Sequence, residues 1–253
     1  MPSVETLLNP KSIAIIGASN NTKKVGGIVT QNIIENYKGL VYPVNPKEET
    51  IQGLKNYKTI SELPDVPDLA ILAIPAEKVL EVLPQIGDKH IKNLLIFSAG
   101  FKEAGEQGKM LEQKLLVYTK QYEFNILGPN CLGFVNNQIN LNATFAKTPT
   151  TRSNLSLISQ SGAIATSFFD WCNTSGLGFD FFATIGNKSV LNENHFLEYL
   201  SKTNTYQEPG LSALKPIGLY LESISSGSQL LKISKQISLT QPIFILKPGK
   251  STA

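Results

Sequence analysis

Twice in this chain a short apolar run ends in small residues and feeds a helix-like segment. The first is Ile13-Ala14-Ile15-Ile16-Gly17-Ala18-Ser19, and the second is Leu155-Ser156-Leu157-Ile158-Ser159-Gln160-Ser161-Gly162-Ala163. A strand that turns through small residues into a helix leaves backbone N–H groups bare at the helix N-terminus, where a phosphate can sit. Two such starts predict two α/β units and two anion sites. With 253 residues and 42% hydrophobic content, the chain can bury a real core.

Apolar runs at 13–16, 40–44, 69–74, 94–97 and 125–127 alternate with amphipathic stretches at 25–37, 76–86 and 107–122. That alternation describes a parallel sheet covered by helices, a Rossmann-like first domain of five strands. The stretch 136–154, rich in Asn, Thr and Pro, breaks the rhythm, and runs at 155–159, 179–184, 217–221 and 243–246 restart it. We therefore expect α/β domains at 1–146 and 147–253. The last run leads into Lys247-Pro248-Gly249-Lys250-Ser251-Thr252-Ala253 and stops where an active-site loop is expected. The second domain is accordingly expected to be incomplete at its C-terminus, and 206–215 reads as an insertion.

Composition excludes several classes. The net charge of +3 is modest and the basic residues form no run, which argues against nucleic acid and a membrane surface as partners. Arg152 is the one arginine among 23 basic residues, so phosphates must be held by lysine and backbone N–H groups. Cys131 and Cys172 lack the spacing of a metal site or redox pair, and no metal site is expected in this chain. With no secretory leader pattern, the expected location is cytoplasmic.

The first glycine turn lacks the G-x-G-x-x-G spacing of a dinucleotide fingerprint, and no acid ends the second strand to hold a ribose diol. That strand ends instead in Tyr42-Pro43-Val44-Asn45-Pro46-Lys47. A lysine there suits a ribose carrying a phosphate and disfavours NAD, although an isolated lysine is more often merely solvated. Ile74-Pro75-Ala76, Ser98-Ala99-Gly100 and Gly128-Pro129-Asn130-Cys131 fall at further strand ends and would line the same crevice. Cys131 has no histidine near it in sequence and reads as a buried, inert thiol; His90 reads as structural or solvated.

In order along the chain, N-P-K-S-I-A-I-I-G-A-S, V-Y-P-V-N-P-K, D-L-A-I-L-A-I-P-A, S-A-G-F-K-E-A-G, L-G-P-N-C-L-G, N-A-T-F-A and S-Q-S-G-A resemble the NDP-forming acyl-CoA synthetases. These are relatives of the succinyl-CoA synthetase alpha subunit and of ADP-forming acetate-CoA ligases, and similar modules occur in some protein lysine acetyltransferases. The resemblance implies a CoA-binding Rossmann-like domain followed by a flavodoxin-like ligase domain. Gly17, Ser19, Lys23, Val25, Gly26 and Lys47 would then hold coenzyme A phosphates. Val44, Asn45, Pro46, Ile74 and Pro75 would flank the adenosine or pantetheine, and Ser98, Ala99, Gly100, Asn130 and Cys131 would lie near the thiol end. Ser159, Ser161, Gly162 and Ala163 would receive a phosphate, with Gly186-Asn187-Lys188 as a neighbouring loop. Glu222 would orient the family's phosphorylated histidine.

The departures carry as much information. That histidine follows the position where this chain ends, and neither His90 nor His195 occupies it; His195 reads as an ordinary capping or surface residue. Where the family tends to place acidic residues after Gly-Asn-Lys, this chain has Ser189-Val190-Leu191-Asn192-Glu193-Asn194-His195, which leaves room for a degenerate second site. The resemblance implies acyl-CoA, phosphate and ADP going reversibly to carboxylate, CoA and ATP. ADP or ATP and Mg would enter only through an ATP-grasp domain or subunit, so this chain alone is expected to be inactive. A homo-oligomer is compatible with the sequence. A non-catalytic CoA or acyl-CoA sensing module, or the CoA-binding part of a lysine acetyltransferase, stands as the alternative.

Overall fold

A computed structural model describes residues 4–149, 151–203 and 215–249. Residues 206–214 of the expected 206–215 insertion and residues 250–253 of the 247–253 segment lie outside the described residues. In chain order the first part comprises α1 (Val4–Leu8), β1 (Ser12–Ile16), α2 (Val25–Asn36), β2 (Leu40–Val44), β3 (Thr50–Ile51), β4 (Leu54–Lys55), β5 (Leu69–Leu72), α3 (Ala76–Asp88), β6 (Asn93–Ile96), α4 (Glu106–Tyr122) and β7 (Asn125–Leu127). The second comprises β8 (Gly133–Asn136), β9 (Leu141–Thr144), β10 (Ser156–Ser159), α5 (Gly162–Ser175), β11 (Phe181–Thr184), α6 (Glu193–Thr203), β12 (Ile217–Tyr220), α7 (Gly227–Ile237) and β13 (Ile243–Leu246).

The first sheet has the order β2-β1-β5-β6-β7 and is parallel throughout. Its strands are buried on both faces, which explains why they read as apolar runs rather than alternations. Ile13, Ile15, Leu69 and Ile71 face one cluster with α1 and α2, while Ala14, Ile16, Ala70 and Leu72 face another with α3 and α4. The chain leaves β1 toward β2 and returns to the other side as β5. The order therefore reverses between β1 and β5, where a crevice opens beyond the strand ends.

The second sheet, β13-β12-β10-β11-β8-β9, repeats this device between β10 and β12. Its four expected strands are parallel, and an antiparallel hairpin, β8 and β9, extends it. This hairpin lies largely within what reads as a break. The turn between its strands is built of Asn137 to Asn140, with Asn140 at φ 54°, and asparagine tolerates that left-handed conformation. Gly133 is required where the strands cross, since a Cβ there would lie 2.0 Å from the Ala143 carbonyl oxygen. The short ribbon β3–β4 was likewise not signalled by its sequence. One apolar cluster continues from β1, β5 and β7 through Phe134 and Leu141 to Ile158, Phe181 and Ile217, so the two sheets share a core.

Candidate functional site

The crevice between β1 and β5 is shaped by two glycines. Gly17 has φ 89°, and a side chain there would strike Ala73 Oand Ile74 Cγ2, each 2.6 Å from the Cβ position. A Cβ on Gly26 would sit 1.9 Å from the Gly17 carbonyl oxygen, so α2 begins directly against the turn. That helix starts after Lys24 without a side-chain cap, leaving its first N–H groups open to a ligand. The preceding loop is held by Asn21 N–H to Ser19 Oγ at 3.0 Å and Lys23 N–H to Asn21 Oδ1 at 2.9 Å. Gln52 donates from Nε2 to the carbonyls of Ser19 and Gly27, both at 2.9 Å.

The resulting cavity of about 520 Å³ is lined by Gly17, Lys23, Val25, Gly26, Ile74, Pro75, Ser98 and Ala99, as the sequence suggested, and also by Lys24, Ala73, Phe97 and Phe145. Ser19, Val44, Asn45, Pro46, Lys47 and Gly100 are not in its wall. Val44 accepts Gly17 N–H at 3.0 Å, and Asn45 Nδ2 donates to Ala18 at 2.8 Å, so both support the turn from behind. Pro46 and Lys47 are exposed beyond the end of β2, and Gly100 N–H donates to Glu103 at 2.6 Å. Ser98 Oγ donates to the Ile74 carbonyl and ties two strand ends together.

The second crevice lies where β10 and β12 end. Ser161 caps α5 by accepting Ile164 N–H at 3.4 Å; Ser159 is buried, accepting Ser161 N–H at 3.1 Å and donating to the Ser161 carbonyl at 2.8 Å. Ser159 thus shapes the turn, while Gly162 and Ala163 stand exposed at the helix start. Gln160 Oε1 accepts the N–H groups of Glu222 and Ser223 at 3.1 and 3.0 Å, bringing the loop after β12 over α5. A cavity of about 560 Å³ is lined by Asn130, Cys131, Ser161, Gly162, Ala163 and Glu222. It shares Phe97, Ala99 and Phe145 with the first cavity, so the two crevices adjoin across an edge-to-face ring pair 5.2 Å apart. Burial pushes the Cys131 thiol up to about 12, and its Sγ donates to the Ile96 carbonyl at 3.4 Å.

A further cavity of about 440 Å³ adjoins on the far side of Asn130, Gln160 and Glu222. Around it lies a polar network that the sequence reading missed. Asn187 Nδ2 donates to Glu103 at 2.6 Å and to Glu112 at 3.0 Å, Ser189 Oγ donates to Glu112 at 2.6 Å, and Lys102 pairs with Glu112 at 3.2 Å. Burial works to raise the Glu103 pKa, but hydrogen bonds from Asn187, Gly100 and Phe101 outweigh it and hold the carboxyl below its usual range. Lys188 pairs with Glu193 at 3.1 Å, both almost fully buried. Burial opposes ionisation of Glu193 too, yet its bonds from Ser225 and Lys188 keep its pKa low. One signal was legible: Glu112 stands with Gly108 and Leu115 on the buried stripe of α4, a place where a carboxylate needs partners. His195, beside this network, bonds Asn192 through Nδ1 at 3.0 Å, and His90 is exposed at a turn with φ 63°.

Residues 11–137 match the CoA binding domain model, and 152–253 match the succinyl-CoA ligase like flavodoxin domain. Over 98% of its length the chain is 40% identical to the alpha subunit of acetate–CoA ligase [ADP-forming] II from Pyrococcus furiosus, spanning 52% of that protein. It is 37% identical over 97% of its length to a 4-hydroxybutyrate–CoA ligase [ADP-forming] from Nitrosopumilus maritimus, spanning 34% of it. Among solved structures, the dinucleotide-forming acetyl-coenzyme A synthetase 1 of Ca. Korarchaeum cryptofilum, in complex with phosphate and ADP, superposes with a TM-score of 0.89 at 32% identity; the match covers 99% of this chain and 53% of that one. The chain thus spans between a third and about half of these proteins. Among the described residues no helix is long and apolar enough to cross a membrane.

Proposed function

The chain belongs to the CoA binding domain family and carries a succinyl-CoA ligase like flavodoxin domain behind it, and on that premise we propose that it serves an ADP-forming acyl-CoA ligase as the part that holds CoA and phosphate. The observation that carries this reading is the pair of adjoining crevices, one lined by Lys23, Lys24 and an apolar wall and one ending on a helix N-terminus. The first crevice offers lysines, an uncapped helix start and an apolar wall of Ile74, Pro75, Phe97 and Phe145, which fits the mixed polar and apolar length of CoA. Lys23, Lys24 and the N–H groups of Val25 and Gly26 face its phosphates. Lys47 stands at the outer edge as the cation for a ribose phosphate.

In this reading a phosphate oxygen attacks the thioester carbonyl carbon, the carbon–sulfur bond breaks, and the CoA thiolate leaves. The chain's contribution is to hold phosphate on the N–H groups of Gly162 and Ala163, where the aligned dipoles of α5 offset its charge. The thioester reaches that phosphate past Ala99 and the Phe97–Phe145 pair. Glu222 faces the same cavity and orients the imidazole of a histidine-bearing segment that takes up the phosphoryl group. Nucleotide and Mg belong to an ATP-grasp partner on the same or a separate chain. Cys131 is part of the wall and not a nucleophile in this reading, because burial raises its thiol pKa and disfavours the thiolate.

Calorimetry with CoA, dephospho-CoA and NAD tests the first crevice. CoA should bind, and dephospho-CoA should bind more weakly by about 1–3 kcal/mol, the size of a charge-assisted contact. Lys47→Ala should abolish that difference and leave dephospho-CoA binding unchanged. NAD binding more tightly than CoA would overturn the reading.

A further inference from the structure

The loop that carries Glu222 has almost no apolar anchorage: Glu222, Ser223 and Ser225 are exposed, and Ile224 is 39% exposed. Its conformation is decided instead by three side chains from other elements. Gln160 accepts the N–H groups of Glu222 and Ser223. Lys188 Nζ donates to the Ser223 carbonyl at 2.8 Å. Glu193, at the start of α6, accepts Ser225 N–H at 2.6 Å and Ser225 Oγ–H at 3.1 Å. The last two are joined to each other as an ion pair with side-chain exposures of 6% and 0%.

A desolvated ion pair is a poor source of stability, since two apolar residues of similar volume fill such a space about as well. What an apolar pair cannot do is hold the Ser223 carbonyl and the Ser225 N–H at once. Lys188 also adopts φ 55°, a left-handed conformation that favours glycine or asparagine, so the backbone at this position gains nothing from lysine. Both facts assign the pair to geometry.

We propose that Glu193, directly and through Lys188, is a positioning residue that fixes the Glu222–Ser225 loop over the N-terminus of α5 and so sets where the Glu222 carboxylate points. The catalytic consequence rests on the role given to Glu222 above, whereas the hold on the loop does not. It also bears on the expectation of a degenerate second site: Glu193 is the one acid in the 189–195 stretch and pairs with Lys188, five residues before it.

Two variants test this. Glu193→Gln keeps the shape and removes the charge, and the double variant Lys188→Met with Glu193→Leu removes the pair without stranding a buried ion. Amide hydrogen exchange should rise about tenfold at 222–225 in both, with β12 and the remainder of α6 unchanged. In enzyme completed with the histidine-bearing segment and an ATP-grasp partner, kcat should fall roughly tenfold with KM for CoA unchanged. Unchanged exchange at 222–225 in the folded double variant overturns the proposal. So does an equal rise throughout α6 and β12, or faster loop exchange with kcat intact. If the completed wild-type enzyme does not turn over, the functional reading fails, and the exchange data still decide the hold on the loop.

Discussion

At the scale of single residues, turn chemistry proved the most readable feature. Gly17 and Gly26 line the crevice because the backbone of one element presses on the next, and a glycine in such a place leaves a mark in the sequence. Gln52 left none, and Asn187 stood out only within the Gly186-Asn187-Lys188 motif, with nothing there to show what it bonds. Their work is done by side-chain bonds to groups 25 or more positions away, Ser19 and Gly27 for Gln52 and Glu103 and Glu112 for Asn187, and no local pattern encodes such partners. Cys131 shows burial deciding chemistry. With its thiol pushed up to about 12, the group stays protonated at about pH 8. Burial raises Cys172 as well. A thiol reagent applied to the native chain at that pH should label neither cysteine within minutes and both after denaturation. Rapid stoichiometric labelling of Cys131 in the folded chain would contradict both its burial and its exclusion as a nucleophile.

At the scale of elements, the parallel strands were legible because burial on both faces turns each into a continuous apolar run. The β8–β9 hairpin was obscured because its connection is rich in asparagine, which reads as a break until the strands on either side are paired. Two glycines at helix starts now separate a packing role from a binding role. At Gly26 a Cβ would lie 1.9 Å from a backbone oxygen, so Gly26→Ala should destabilise the chain by about 1–3 kcal/mol as α2 is pushed off the turn. At Gly162 a Cβ would meet nothing within 4 Å, so Gly162→Val should leave stability within about 1 kcal/mol of the parent. It should nevertheless abolish binding of inorganic phosphate, because the branched side chain would stand beside the N–H groups proposed to hold the anion. Urea denaturation measures the first effect and phosphorus NMR titration the second. Phosphate affinity unchanged in a folded Gly162→Val protein would remove α5 from the site.

At the scale of the molecule, the two sheets are joined by a shared apolar cluster and by several polar contacts, among them a latch at the mouth of the second crevice. The cluster resists separation without fixing angle, whereas the latch is directional: Asn187, on the turn after β11, donates at once to Glu103 and to buried Glu112 of the first unit. Removing it in Asn187→Ala leaves both carboxylates a donor short, which should cost about 1–3 kcal/mol at neutral pH, most of it at Glu112. The pH dependence has a definite sign. In the folded chain burial works against the Glu103 carboxylate, yet hydrogen bonds led by that from Asn187 hold its pKa low, so this stabilisation is present above the ordinary carboxylate range and is lost as pH falls through the lowered value. The stability gap between parent and Asn187→Ala should therefore be wider at neutral pH than at a pH below the lowered Glu103 value. Urea midpoints measured at the two pH values check this. A gap that stayed constant or widened in acid would mean that Asn187 acts by filling space, and that the carboxylates of the first unit do not hold the second.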